Sequence, residues 1–199
     1  MKKLGAFMCA IMLSVSVMAA QNPAINFVDD LADDIITNVL TAEVTPEQKL
    51  EKFRDAFTKA VDLKSVGQFV LGVYWRKASD EDKQAFLDAF TEFTTKTWAD
   101  RFDMYNGQNI LFTGVRNAER NQYYVDSHIE DKEPVEVIWR LRQKGDSYKI
   151  IDIIVEGVSM AMSYRNEYSA ILQQNGGNVK ALAEELQKKS AAFNAKNPK

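Results

Sequence analysis

The sequence predicts an α+β protein: helices first, then a four-stranded antiparallel meander, then two more helices. Three observations carry this. Apolar residues recur at helical spacing from Ile25 to Tyr105. The period changes to two between Asn109 and Val155. It returns to helical spacing after Glu156-Gly157. A sheet with one apolar face and no second sheet must be covered by its helices, which gives a sheet wrapped by helices.

The first helix is expected over Asn26–Leu40, where Ile25, Val28, Leu31, Ile35, Ile36, Val39 and Leu40 share a face. Thr45-Pro46-Glu47-Gln48 reads as an N-cap, Pro at the first helical position and a capping-box Gln. The helix behind it carries Leu50, Phe53, Phe57 and Val61. Asp62 to Gly72 reads as a short helix carrying Leu63, Val66, Phe69 and Val70. Gly72-Val73-Tyr74-Trp75 leads into a new start signal, Ser79-Asp80-Glu81-Asp82, whose acids suit a helix N-terminus. That helix runs to about Tyr105 with an aromatic face of Phe86, Phe90, Phe93, Trp98 and Phe102, and Asn106-Gly107 ends it.

Strands are expected over 109–115, 123–129, from Val135 to about Arg142, and 148–155. In the third, Val135, Val137, Trp139 and Leu141 alternate with charged residues, the pattern of a half-solvated strand. Lys144-Gly145-Asp146 makes a hairpin turn. The fourth holds an almost unbroken β-branched run, Ile150, Ile151, Ile153, Ile154 and Val155. A helix is expected from about Val158 to Gln174, and Gly176-Gly177 stops it. Asn178 caps the last helix, with Val179, Leu182 and Leu186 inward.

The chain opens like a secretory leader. Lys2 and Lys3 precede an apolar run from Leu4 to Met18, and Val17-Met18-Ala19-Ala20 supplies small residues for cleavage. The expected organisation is a leader over 1–20, one domain over 21–193 and a polar tail over 194–199. Cys9 would leave with the leader, so the exported chain uses no thiol chemistry. The 199 residues carry 25 basic and 28 acidic side chains. Without Lys2 and Lys3 the net charge is −5, which argues against general nucleic-acid binding.

Catalytic and metal signatures are sparse. His128 is the one histidine, on a predicted strand with Asp126 and Glu130 on the same side. That is the pattern of a solvated strand face, and any metal site or triad would need this single His. There is no G-x-S-x-G elbow, Gly-rich phosphate loop or C-x-x-C pair, and no cofactor is expected. Asp152, inside an apolar strand, could act as a base if buried in a pocket, or could serve structure by binding backbone N–H groups. Aromatic residues crowd the stretch from Phe69 to Tyr105. They could fill a core, or they could line an apolar cavity where a curved sheet leaves its helices. Pattern alone does not separate the two.

Three stretches, in order, resemble the MlaC family of soluble periplasmic phospholipid carriers. Val155-Glu156-Gly157-Val158-Ser159 followed by Arg165-Asn166-Glu167-Tyr168 is similar to its "VEGVS" strand end and "R/N-x-E/Q-F/Y/W" element. Leu71 to Ser79 resembles its "LG-x-Y-W/Y-x-x-A-S/T" stretch. Phe86 to Phe93 and Trp98 to Gln108 resemble its long helix and "Y-x-G-Q" ending. Trp98 stands where many members carry Tyr, and Ile151-Asp152-Ile153-Ile154 replaces the commoner "x-D-V-x".

The resemblance implies a fold similar to nuclear transport factor 2, with sheet and helices around a cavity for lipid tails. It implies a two-chain phospholipid as ligand, and no enzymatic activity. The implied partners are an inner-membrane ABC transporter complex and an outer-membrane lipoprotein complex, with shuttling between them that maintains outer-membrane lipid asymmetry. On this reading the lipid-binding candidates are Val70, Tyr74, Trp75, Phe90, Trp98, Phe102, Val137, Trp139, Ile151, Ile153, Val155, Val158 and Met160. Strand parity supports Val137 with Trp139, and Ile151 with Ile153 and Val155, as shared faces. The alternatives are an isomerase or dehydratase using Asp152 as base, and an interaction module with a solid core.

Overall fold

A five-stranded antiparallel meander with its strands in chain order forms one wall of the protein. The structure, a computed structural model, describes residues 22–102 and 105–196. The expected leader lies outside the described residues. Among these, no helix is long and apolar enough to cross a membrane.

Helix α1 spans Pro23–Ile35, and the Asn22 side chain accepts the Ala24 amide at 2.9 Å at its start. It runs into a π-helical turn, Ile36–Leu40, so the expected helix begins three residues early and ends with a widened turn. The capping box at Thr45 and Gln48 opens α2, Pro46–Ala60. Asp62 caps α3, Leu63–Leu71, by accepting the Ser65 amide at 3.1 Å. Gly72 ends α3 at φ 56°, a conformation that glycine adopts at little cost. The stretch read as a lead-in, Val73–Lys77, is a short helix, α4. Helix α5 spans Asp80–Phe102, and Ser79 Oγ accepts the Asp82 amide at 3.0 Å.

The strands are β1 Ile110–Ala118, β2 Gln122–Ile129, β3 Val135–Lys144, β4 Ser147–Val155 and β5 Val158–Ser159. The fifth strand corrects the expected four. Glu156 and Gly157 both take positive φ, 49° and 75°. Two such residues in a row make the tight primed turn that folds a strand back on its neighbour. Val158 therefore pairs with Val155, and Ser159 with Ile154. Helix α6 starts at Met160, not near Val158, and runs to Gln174. Helix α7 spans Val179–Lys196, three residues beyond the expected domain end at 193.

Parity in β4 also departs from the simple reading. Leu141 pairs with Ile150, but Arg140 pairs with Asp152. Ile151 is therefore the extra residue of a β-bulge, and a bulge exchanges the faces on either side of it. Ile153 and Val155 oppose Trp139 and Val137 as expected, whereas Ile150 takes the inward place expected for Ile151.

Burial falls into three clusters. One joins α3, α5, α6 and α7 through Val66, Phe86, Phe90, Tyr168, Leu172 and Leu186. Phe90 meets Tyr164 and Tyr168 edge to face, with ring centroids 5.9 and 6.3 Å away. A second packs α1 on the sheet, with Ala24 and Val28 against Val125, Leu141, Tyr148 and Ile150. Here the Trp139 indole N–H donates to Ser127 Oγ at 3.0 Å, and that hydroxyl donates to the Val137 carbonyl at 2.8 Å. The third lies between the π-helical turn, α2 and α5, around Ile35, Val39, Phe53 and Phe57.

Polar ties hold these layers in place. The Asp62 amide donates to the Ile150 carbonyl at 2.9 Å, and its carboxylate takes Lys144 Nζ at 2.7 Å, which pins the α2–α3 corner to the sheet. Glu92 on α5 binds Arg54 on α2 at 2.5 Å and Lys96 at 2.9 Å.

Candidate functional site

The three clusters share flanking residues: Val61 packs against all three, and Leu63 and Trp98 against two each. Where their edges converge there is a cavity of about 40 Å³. Phe57 and Val61 border it from α2 and its end, Leu63 and Val66 from α3, and Phe90, Thr94 and Trp98 from α5. Ile150, Ile151, Asp152 and Ile153 border it from β4, and Met160, Ala161 and Tyr164 from α6. Helical spacing explains the convergence. Positions 90, 94 and 98 on α5 and 160, 161 and 164 on α6 each form one inward stripe.

The lining offers little chemistry. The Thr94 hydroxyl donates to the Phe90 carbonyl at 2.6 Å and so is spent on its own helix. Asp152 is the single charged residue in the lining. One of its oxygens accepts the Ser159 hydroxyl at 2.5 Å, and the other accepts the Ala161 amide at 2.9 Å. Ser159 Oγ in turn accepts the Met162 amide at 3.1 Å. The carboxylate thus secures the first turn of α6, and both its oxygens are engaged. The structural reading of Asp152 fits this geometry, since each of its oxygens holds one group at the start of α6. Burial pushes the Tyr164 phenol above its ordinary pKa, with Arg101 pulling partly the other way.

Of the residues expected to bind ligand, Phe90, Trp98, Ile151, Ile153 and Met160 line this cavity. Val70 is buried in the helical cluster, and Tyr74 and Trp75 pack against that cluster. Val137, Trp139 and Val155 belong to the sheet cluster. Phe102 packs on the third cluster. Val158 is exposed at 54%. The sequence reading omits Phe57, Val61, Leu63, Val66, Thr94, Ile150, Ala161 and Tyr164 from the site. Most sit on apolar helical stripes that look the same whether they face a neighbour or a void.

A wider groove of about 520 Å³ lies between α2, the π-helical turn and α5. Seven of its fifteen lining residues are charged, among them Arg54, Glu92 and Lys96. Apolar ligand placed there would strip water from those charges, which is costly. The smaller cavity is the apolar one.

Elsewhere, Asp126 is held by Arg116 through two hydrogen bonds, at 2.6 and 2.8 Å. Among the described residues, no group of three or more His, Cys, Asp or Glu could hold a metal ion.

Comparison with known proteins agrees with this architecture. The chain is 26% identical over 122 residues to the intermembrane phospholipid transport system binding protein MlaC of Haemophilus influenzae, covering 58% of this chain and 57% of that protein. It is 23% identical over 136 residues to toluene tolerance protein ttg2D of Pseudomonas putida, covering 64% of this chain and 62% of that one. The chain thus spans about three fifths of the length of these relatives. A phospholipid-binding protein of Ralstonia solanacearum, solved in complex with a phospholipid, superposes with a TM-score of 0.74 at 21% identity. That match covers 84% of this chain and 97% of the other, and establishes the shared fold. The profile of the MlaC protein family matches residues 26–188, and the chain belongs to the MlaC family.

Proposed function

We propose that this protein is a periplasmic phospholipid carrier that takes both acyl chains of one lipid into the cavity between its three hydrophobic clusters. The observation that carries the reading is the placement of that cavity. It sits on the seam between clusters, its lining is almost wholly apolar, and its one carboxylate is consumed by a helix cap. The ligand class is supported by two names: one relative is the binding protein of an intermembrane phospholipid transport system, and the solved neighbour is a phospholipid-binding protein.

The energetics explain why such a protein is needed. A lipid leaving a bilayer exposes its tails at about 0.8 kcal/mol per methylene. Roughly 30 such groups cost on the order of 20 kcal/mol, so a carrier has to enclose nearly all of both tails. Each group occupies about as much space as a liquid water, about 30 Å³, so the tails need on the order of 900 Å³. On the same molecular-volume footing the empty space there, its open mouth included, is about 380 Å³. Loading therefore requires the clusters to separate along their seam. The Asp62 ties fix the α2–α3 corner to β3 and β4, and Asp152 fixes the start of α6 to β4, so the side that opens is the one where α5 moves away from α6, at Trp98, Met160 and Tyr164.

On this reading the protein performs no covalent chemistry. It moves lipid between an outer-membrane lipoprotein complex and an inner-membrane ABC transporter complex, and so maintains outer-membrane lipid asymmetry. Residues 1–20 serve as the cleaved leader that exports it. The test is to purify the protein, extract it and identify lipids by mass spectrometry, then measure transfer of labelled phospholipid between vesicles. Stoichiometric co-purified phospholipid and protein-dependent transfer are expected. Absence of both would overturn the reading.

A further inference from the structure

We propose that Arg101 is the phosphate contact of this carrier, gripping the phosphodiester of a bound glycerophospholipid at the rim of the cavity. The proposal rests on the carrier reading and adds to it a site for the head group. Arg101 lies in the last turn of α5 and is exposed. Its guanidinium sits 5.1 Å from the Trp98 ring centroid, and Nη1 lies 3.9 Å from Met160 Sδ. Trp98 and Met160 both line the cavity, from α5 and from α6. Arg101 thus bridges the two elements on the side that must part for tails to enter.

Three other arginines have carboxylate partners, while Arg140 and Arg165 donate to the neutral oxygens of Gln122 and Phe69. Arg54 binds Glu92, Arg116 binds Asp126, and Arg142 lies 3.9 Å from Asp62. Among the described residues Arg101 has no carboxylate partner. Its one hydrogen-bond contact among the described residues is a thioether sulfur, a weak acceptor. A cation in the last turn does suit the helix dipole. The dipole does not account for the side chain lying over Trp98 toward Met160. A guanidinium held over an indole face still has N–H groups beyond the one that meets Met160, and its planar fork matches two phosphate oxygens. Tails passing between Trp98 and Met160 would bring the phosphodiester to that edge. The position also acts on the wall itself, since Arg101 pulls the Tyr164 phenol partly back down from the rise that burial imposes.

The test uses purified wild-type protein, Arg101→Gln and Arg101→Lys. Each is equilibrated with vesicles doped with labelled phosphatidylglycerol, or with diacylglycerol of the same chains, which lacks the phosphodiester. Arg101→Gln is expected to weaken phosphatidylglycerol retention about tenfold while leaving diacylglycerol retention unchanged. Arg101→Lys, which keeps charge but loses the fork, is expected to fall between. Millimolar inorganic phosphate is expected not to displace the lipid. Melting temperatures verify that each variant folds. An equal loss of both lipids would overturn the proposal, because Arg101 would then act through packing alone. Equal retention of phosphatidylglycerol by wild type and Arg101→Gln would overturn it too. Displacement by inorganic phosphate would mark the site as one for the free anion and overturn the head-group assignment. Failure of wild type to take up either lipid would overturn the carrier reading itself, and the proposal with it.

Discussion

Asp152 on β4 and Ser159 on β5 share a 2.5 Å hydrogen bond, and the second Asp152 oxygen takes the Ala161 amide. The carboxylate fastens helix α6 to the sheet. Asp152→Ala removes two charge-assisted hydrogen bonds and leaves the Ala161 amide buried without a partner. A loss of about 3 kcal/mol is expected in denaturant unfolding. Asp152→Asn keeps an oxygen for the amide and can donate to Ser159, so it should cost less and retain lipid. Lost lipid retention in a fully stable Asp152→Asn protein would show a role beyond the cap.

Tyr168 is the largest fully buried side chain, and its hydroxyl has no hydrogen-bond partner among the described residues. Burial holds its pKa far above the ordinary phenol range. Tyr168→Phe removes the stranded hydroxyl and keeps the edge-to-face contacts with Phe86 and Phe90. Stability should rise by about 1 kcal/mol. A drop of similar size, read by the same unfolding curves, would reveal a partner for the hydroxyl.

Acid should loosen the α2–α3 corner. Burial alone would push the Asp62 carboxyl up, but the hydrogen bonds from Lys144 and Ser65 outweigh it and hold the pKa below its ordinary value. A group depressed in the folded state stabilises fully above its unfolded pKa, near 4, and loses that contribution as pH falls through the lower folded value. Asp62→Asn should therefore lower the melting temperature near neutral pH and flatten its fall between about pH 5 and pH 2. Parallel curves for wild type and variant would refute this.

Ala161 faces the cavity from the first turn of α6 and is nearly fully buried. Ala161→Leu adds three carbons, about 90 Å³ at a liquid-like share per group, to the buried wall of this cavity. Crowding should cost about 1–3 kcal/mol. Co-purified lipid per folded protein should fall to less than half. A variant carrying a full lipid load would move the tail site elsewhere.

Gly177 has φ 80°, and a Cβ there would lie 2.9 Å from the Tyr74 ring. Gly177→Ala combines backbone strain with a clash between the α6–α7 connection and α4. A loss of about 2 kcal/mol is expected in thermal unfolding.

Much of the fold was legible because its signals are local. Thr45, Pro46 and Gln48 announce α2 within four residues, and Ser79 with the acids after it announces α5. The fifth strand was not legible, because Glu156 carries no mark of a positive φ. The site was legible on α5 and β4 in part, where Phe90, Trp98 and Ile153 stand out by size or branching. It was hidden on α3 and, apart from Met160, on α6. Leu63, Val66 and Tyr164 follow the same stripe rule as any core residue. Whether their stripe touches a neighbour depends on three clusters at once, which no window of sequence contains. The bulge at Ile151 was hidden for a related reason. In a run of isoleucines only Asp152 breaks the chemistry, so nothing shows where the faces exchange.

The division of the interior into three clusters has a consequence for traffic. A carrier whose cargo space lies along seams can widen it by parting surfaces that are each already packed on their own side. Widening then sacrifices contacts between clusters and leaves those within them intact, so a departing lipid need not drag the fold toward unfolding. On the carrier reading, closing the seams returns the cavity lining to the interior, and a large hollow need not be held open in a rigid shell between loads.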